Sequence, residues 1–449
     1  MENNQLLKEN VLKALLVFAV PFMLSNLLQV LYGSADLLVV GQFAHTYDVS
    51  GVSIGSQTMA LVTNFVLGLT TGVTVLLGQY AGSQNERAIS KTIGSGIILF
   101  FIISVALSGL MLVFNNEITM IMNTPTEAIE ATKQYLGVCS LGVVFIIGYN
   151  VVSSILRGLG DSKTPLLFVF IACVINIIVD IVLVGYFHMG AMGAAIATVS
   201  AQGFSFLFAL FYLMKKGIGY PFYKSDICFS SYTNKIMKIG FPLAMQSVLV
   251  NISFLIITII VNQMGLIASA SVGVVEKLME FLMLPSIALG SALSSLVALN
   301  IGAKQYTRAK QTLRYAIMVS FGFALIVFAV CEIDGTVLTR IFTSNQDVIE
   351  NGALYLKTYT IDCLLTSFLF CFNGYLNGYG RTMFTMVHSV VATFIGRIPL
   401  TLLISQLPNV TLLHMGIASP LSTVISLVMI YIYFKKTKFD SEEVNVHEE

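Results

Sequence analysis

Apolar stretches of bilayer length recur along this chain. A hydrocarbon core about 30 Å thick takes roughly 20 residues of helix to cross, and inside it each segment must satisfy its own backbone hydrogen bonds. Reading at that scale gives twelve spans, at residues 12–40, 50–78, 92–115, 134–157, 164–187, 191–214, 236–261, 266–299, 313–338, 353–377, 384–405 and 411–434. The expected fold class is an all-α polytopic membrane protein of twelve transmembrane helices. Composition agrees, with 56% hydrophobic residues and only 10% charged, against roughly 25% charged in soluble domains. So few charges exclude a soluble enzyme, a nucleic-acid binder and a disordered scaffold, and make the lipid bilayer the obligatory partner. A net charge of +1 adds no pull toward nucleic acid.

Charge becomes informative through its placement. Of the 24 lysines and arginines, nineteen fall in segments on the side of the N-terminus, Lys133, Arg340 and Lys357 fall opposite, and Lys277 and Arg397 lie inside spans. Positive residues collect on the cytoplasmic side, so both termini are expected there, in a multi-pass protein of the plasma (inner) membrane. Dropping or adding one span would scatter this bias. The polar start, Met1 to Asn10, leads into an apolar run with no small-residue cleavage site, so no cleaved signal peptide is expected. The six cysteines lack CxxC spacing and read as small apolar packing residues.

The second half echoes the first at an offset near 220. Leu156-Arg157-Gly158-Leu159-Gly160-Asp161 corresponds to Leu376-Asn377-Gly378-Tyr379-Gly380-Arg381, Pro21 to Pro242, and His188-Met189-Gly190 to His414-Met415-Gly416. Six spans per half keep the same topology in both, so two pseudo-symmetric six-helix bundles follow, with a cavity between them. The expected division is an N-lobe at 1–216, a cytoplasmic linker at 217–234 rich in Gly, Pro, Ser and charge, and a C-lobe at 235–449 ending in an acidic tail.

An acid at bilayer depth costs about 3 kcal/mol on insertion scales and marks function by default. The first lobe carries two, Asp36 and Asp180. Asp36 ends a polar face on the first span made of Asn26, Gln29, Tyr32 and Gly33, spaced by three and four. Asn176 and Asp180 share a face of the fifth span, and Thr198 and Gln202 a face of the sixth. Two carboxylates, an amide and a hydroxyl facing one lumen suit a hard cation bound through oxygens or a shared proton; the plainer alternative is that each acid solvates a helix end near the interface. Pro21 removes a backbone hydrogen bond in the first span, either as a bend responsive to Asp36, about 22 Å away along the helix, or as a static kink. Gln57 and Asn64, seven apart on the second span, line a wet path or merely pack.

The second lobe offers Glu276, Lys277 and Glu280 on the eighth span, either a structural ion pair or a cavity-facing triad with one net negative charge. Asp362 and Arg397 are candidates for a buried pair. The seventh span has neutral Gln246 and Asn251, and the repeat partner of Asp36 is Ile257, so cation coupling is expected in the first lobe. Gly158-Leu159-Gly160-Asp161 matches the GLGD string of intramembrane aspartyl proteases, but the only Tyr-Asp pair, Tyr47-Asp48, falls on the opposite membrane face. The chain lacks HExxH and Walker A strings. It is therefore expected not to be an enzyme, to use no cofactor, and to draw on an ion gradient.

Twelve spans in two halves, with Pro21 and Asp36 on the first and Asn176, Asp180 and Thr198 on the fifth and sixth, resemble the multidrug and toxic compound extrusion (MATE) family, and its prokaryotic branch in particular. Arg157-Gly-Leu-Gly-Asp161-Ser-Lys-Thr-Pro165 looks like that family's RGxGDxKTP pattern, and Asn300-Ile301-Gly302-Ala303 like its NIGA stretch. The resemblance implies two lobes that open alternately to either side, and an N-lobe site that binds H⁺ or Na⁺ while a drug is expelled. Carried over, the coupling residues are Asp36, Asn176, Asp180 and Thr198, with Gln29 and Tyr32 in the adjoining lumen; if Na⁺ is the ion, Asp36, Asn176 and Asp180 are its ligands. One branch of that family places an acid on the seventh span, where this chain has Gln246 and Asn251. The implied function is a secondary antiporter exporting organic, often cationic or amphiphilic, small molecules, acting as a monomer, with 19 Met and 31 Phe available for an adaptable lining. The remaining cavity residues are Asn26, Gln57, Asn64, Gln202, Gln246, Asn251, Glu276 and Glu280. The alternative is an exporter of a polyprenyl-linked or other lipid-like substrate, for which a more basic cavity is expected.

Overall fold

The computed structural model describes residues 6–437 and 439, and every regular element among them is helical. The acidic tail from Asp440 lies outside the described residues. In the first half of the chain the long helices are α1 (Val11–Phe43), α2 (Thr46–Gly82), α3 (Glu86–Val113), α4 (Ile129–Gly158), α5 (Lys163–Asp180) and α6 (Gly190–Lys216). The second half has α7 (Ser231–Asn262), α8 (Leu266–Leu282), α9 (Leu284–Gly302), α10 (Tyr306–Asp334), α11 (Gln346–Gly378), α12 (Thr382–Val391), α13 (Ile398–Ser405) and α14 (Ala418–Lys436).

These make twelve crossings. Among the described residues eleven helical segments are apolar and long enough by themselves, with α12 and α13 counted together. The twelfth is α11, 33 residues long, whose apolar character is diluted by Asp347, Glu350, Lys357 and Asp362. The sequence reads 266–299 as one span, whereas the structure breaks it at Met283. Pro285 has no N–H to give the preceding turn, which explains the break. α12 and α13 are joined through a π-helical stretch, Ala392–Arg397, into a single crossing.

The chain forms two compact units. One comprises Leu24–Ala244; the other comprises Leu6–Met23 with Met245 onward. The division passes through α1 and α7, in each case two residues after that helix's proline, Pro21 or Pro242.

In the first unit α4 is the axis, contacting α2, α3 and α6. Of the most apolar stretch of Thr126–Gly158, 72% is buried, against 28% for α3, so α3 gives its flank to lipid. Tyr149, Val152, Leu156, Phe168, Val169 and Ala209 form a core at the α4–α5–α6 contact. Gly72 admits the backbone of Ile236 and Gly240, and Gly68 that of Ala244, which seats the first half of α7 in this unit. The segment after α6 folds back on α3. Buried Asp226 accepts hydrogen bonds from Arg87 Nη1 at 3.1 Å and Ser90 Oγ at 2.6 Å, and Ser90 Oγ in turn accepts from the Tyr223 N–H at 3.1 Å.

In the second unit α11 is the axis, against α8, α9, α10 and α14. Its core includes Val272, Val275, Leu278, Val327, Leu356 and Cys363. Arg308 Nη2 donates to the Leu6 and Glu9 carbonyls, both at 2.6 Å, which fixes the start of the chain to α10.

The repeat is visible in backbone detail. After α2 the Asn85 N–H donates to the Tyr80 carbonyl at 2.9 Å, and after α9 Gln305 does the same to Asn300 at 2.8 Å. The turns after α4 and α11 match as well, with Gly160 at φ 86° and Gly380 at φ 73°. A Cβ at Gly158 would lie 2.8 Å from the Thr74 carbonyl oxygen, and one at Gly378 would lie 2.8 Å from that of Ser294. Both glycines thus mark a close helix approach, at positions 220 apart.

Candidate functional site

The first unit gathers its membrane-embedded acids in one place. Asp36 on α1 is 3% exposed, and Asn176 and Asp180, on the last turns of α5, are 0% exposed. Thr198 Oγ1 on α6 donates to Asp36 Oδ2 at 2.9 Å. Asp180 and Asn176 stand beside Asp36. Asp36 Oδ1, both Asp180 carboxylate oxygens and both polar atoms of Asn176 are buried with no hydrogen-bond partner of good geometry among the described residues. Native interiors seldom leave such groups unpaired, and each costs about 1–3 kcal/mol. α5 continues directly past Asp180 as a π-helical turn, Ile181–Tyr186, a local widening frequent at functional sites.

Around this cluster, Gln202 Nε2 donates to the Tyr32 hydroxyl at 3.2 Å. Tyr135 and Cys139 of α4, both buried, lie near Asp36. Neither is visible to sequence reasoning, because a tyrosine and a cysteine in an apolar helix resemble packing residues. Gly55 gives the only signal, since the Tyr135 ring occupies the space where its side chain would be. Asn26, Gln29 and Asn64 are half-buried and Gln57 is exposed; these four stand apart from the hydrogen bonds that join the cluster. Pro21 is inside α1.

Chemically the cluster is an oxygen set of two carboxylates, an amide and a hydroxyl. It suits a hard cation or one proton shared between two carboxyl groups. Among the described residues no group of three or more His, Cys, Asp or Glu is placed to hold a metal ion, so a cation here would depend on the amide and hydroxyl as well.

The second unit is built differently. Lys277 Nζ meets Glu280 at 3.0 Å with both side chains more than half exposed, an arrangement that contributes little stability. Glu276 is half-buried. Asp362 is 4% exposed and accepts from Ser419 Oγ at 2.7 Å and Thr423 Oγ1 at 2.6 Å. Arg397 does not pair with it. Its Nη2 donates to the Tyr359 hydroxyl at 3.3 Å and its guanidinium lies 4.4 Å from the Phe254 ring centre. Gln246 Nε2 donates to Ser389 at 2.7 Å, and Asn251 Nδ2 to the Ser247 carbonyl at 2.7 Å. Where the first unit places acids, this one places Ile257, Tyr355 and Arg397 around a small void.

The family model MatE matches residues 21–182 and again 242–403, two segments that open on Pro21 and Pro242. The chain belongs to the MatE family. This is a family of multidrug efflux transporters in membranes and not of enzymes. The probable multidrug resistance protein YpnP of Bacillus subtilis is 28% identical over 95% of both chains. The multidrug export protein MepA of Staphylococcus aureus (strain MSSA476) is 26% identical over 97% of both. A MATE multidrug resistance transporter solved in an outward-facing conformation matches with a TM-score of 0.90 at 19% identity, over 97% of this chain and 98% of that one, a likeness of fold. The duplicated MatE segment thus coincides with the repeat seen in the helix turns and glycine contacts.

Proposed function

We propose that this chain is a secondary antiporter that exports organic, often cationic or amphiphilic, small molecules in exchange for H⁺ or Na⁺ by alternating access. The observation that carries the reading is the group of buried, unpaired oxygens on Asp36, Asp180 and Asn176 next to the Thr198–Asp36 hydrogen bond. Two adjoining carboxylates without a basic partner repel each other strongly in a low-dielectric interior, and a proton or monovalent cation relieves that repulsion. Antiport follows if the loaded and empty cluster favour different conformations, and the drug binds the one that the ion does not. Pro21 serves as the bend in α1 that transmits this preference. The nineteen-to-three bias of basic residues supports cytoplasmic termini in the plasma membrane, and the protein works as a monomer.

The test is efflux of a fluorescent cationic dye from proteoliposomes under separately imposed Na⁺ and pH gradients, for wild type and Asp36→Asn. Wild-type efflux driven by one gradient names the ion, and Asp36→Asn is expected to abolish it while the protein remains folded and monodisperse. Full efflux in Asp36→Asn would remove the first-unit cluster from the mechanism. Absence of dye efflux under both gradients, with transport of a polyprenyl-linked sugar instead, would favour the lipid-exporter alternative.

A further inference from the structure

On the flank of the first unit, α3, α4 and α6 enclose an apolar crevice of about 630 Å³, remote in residue composition from the Asp36 cluster. Its wall on α3 runs from Ile93 to Ser104, about 16 Å of helix at 1.5 Å per residue. That is close to the roughly 15 Å of hydrocarbon in one leaflet. Phe206 forms part of its floor, with its ring against Gly148, where a Cβ would come within 2.6 Å.

One end of the crevice is closed by the segment after α6, through Tyr220, Phe222 and Lys224. Lys224 is exposed and is the one charged residue of the lining among the described residues. The backbone that carries it is anchored two residues on, where Asp226 is bound to Arg87 and Ser90 of α3. Arg87 is engaged by that contact, with its guanidinium also 5.0 Å from the Tyr223 ring centre. Aromatic rings beside an exposed lysine, at one end of a crevice about one leaflet deep, reproduce the chemistry of a membrane interface.

We propose that this crevice holds an acyl chain of an anionic phospholipid whose phosphate sits on Lys224 Nζ. The lysine argues against a cationic amphiphile as the occupant, and the matching depth argues for a chain anchored at the interface. The lipid comes from the leaflet on the side of the α6–α7 segment, whichever way the chain is inserted, so the inference does not depend on the proposed orientation or on ion coupling.

The test is native mass spectrometry of the purified full chain, delipidated and then titrated with phosphatidylglycerol or phosphatidylcholine of identical acyl chains. The wild type is expected to retain one phosphatidylglycerol in clear preference to phosphatidylcholine. Lys224→Gln should lower that preference about fivefold, the effect of one basic residue at a membrane surface, while Ile97→Trp should obstruct the crevice and weaken retention of both lipids. Leu210→Trp on the opposite wall repeats the filling test if Ile97→Trp does not accumulate. Equal retention of the two lipids, or a preference unchanged in Lys224→Gln, would overturn the assignment. So would dodecyltrimethylammonium binding that displaces the lipid and strengthens in Lys224→Gln, since the crevice would then be a route for cationic amphiphiles.

Discussion

Asp48 and Gly190 sit 142 residues apart in sequence and form one joint at the start of α6. The Asp48 carboxylate accepts the Ala191 N–H at 3.0 Å and the His45 N–H at 3.3 Å, so a single side chain satisfies donors at the starts of two helices. Gly190 has φ +53°, and a Cβ there would lie 2.5 Å from Asp48 Oδ1. Gly190→Ala therefore incurs about 1–2 kcal/mol of left-handed backbone strain and about 1–3 kcal/mol from crowding the carboxylate, or roughly 2–5 kcal/mol together. Asp48→Ala loses the cap, about 1 kcal/mol. In the double variant the crowding disappears while the strain and the lost cap remain, so the total is about 2–3 kcal/mol, which leaves a coupling of about 1–3 kcal/mol between the two sites. Unfolding of the four proteins in mixed detergent and sodium dodecyl sulfate micelles, followed by far-ultraviolet circular dichroism, measures each term. Strictly additive single effects would refute the joint, because they would mean that the carboxylate is not where Gly190 needs space.

Gly158→Ala and Gly378→Ala should each destabilise by about 1–2 kcal/mol, the crowding at 2.8 Å from a carbonyl oxygen less the helix propensity gained; the same unfolding assay checks that the two losses match. Thr198→Ala removes the donor to Asp36 Oδ2 and should shift the half-saturating concentration of the coupling ion by about ten- to a hundredfold, whereas Thr198→Ser should stay near wild type. Ion dependence of dye efflux decides this, and an unchanged value in Thr198→Ala would detach the hydroxyl from the ion site.

The helices were legible because crossing a bilayer requires long apolar runs, and α11 shows how far that signal bends: four charged side chains within it did not hide the span. The acids at bilayer depth were legible for the same reason in reverse. Asp36, Asn176, Asp180 and Thr198 stand out against lipid-like neighbours, and the structure gathers them. Tyr135 and Cys139 did not stand out, since their place beside Asp36 depends on a ring fitting over Gly55. Asp362 and Arg397, candidates for a buried pair by sequence, take other partners: hydroxyls of Ser419 and Thr423 occupy the carboxylate, and Arg397 is directed to Tyr359 and Phe254. Pairing of that kind is decided by helix rotation, to which residue spacing alone is blind. Asp48 reads as a loop acid because the helix it caps begins so far along the chain.

Arg308 holds the Leu6 and Glu9 carbonyls across some 300 residues of sequence, and this orders events in time. At 5–20 residues per second, the opening half of α1 leaves the ribosome roughly 15–60 s before the arginine that secures it exists. Through that interval it must wait in the membrane on lipid or on provisional neighbours. The other unit faces a milder delay, since Ile236 and Ala244 of α7, which settle against Gly72 and Gly68, emerge soon after α6. Maturation is therefore expected to proceed from the Leu24–Ala244 unit outward. A chain truncated before Arg308 would complete that unit and leave residues 6–23 without their destination, which makes the beginning of the protein one of the last parts to reach its final place.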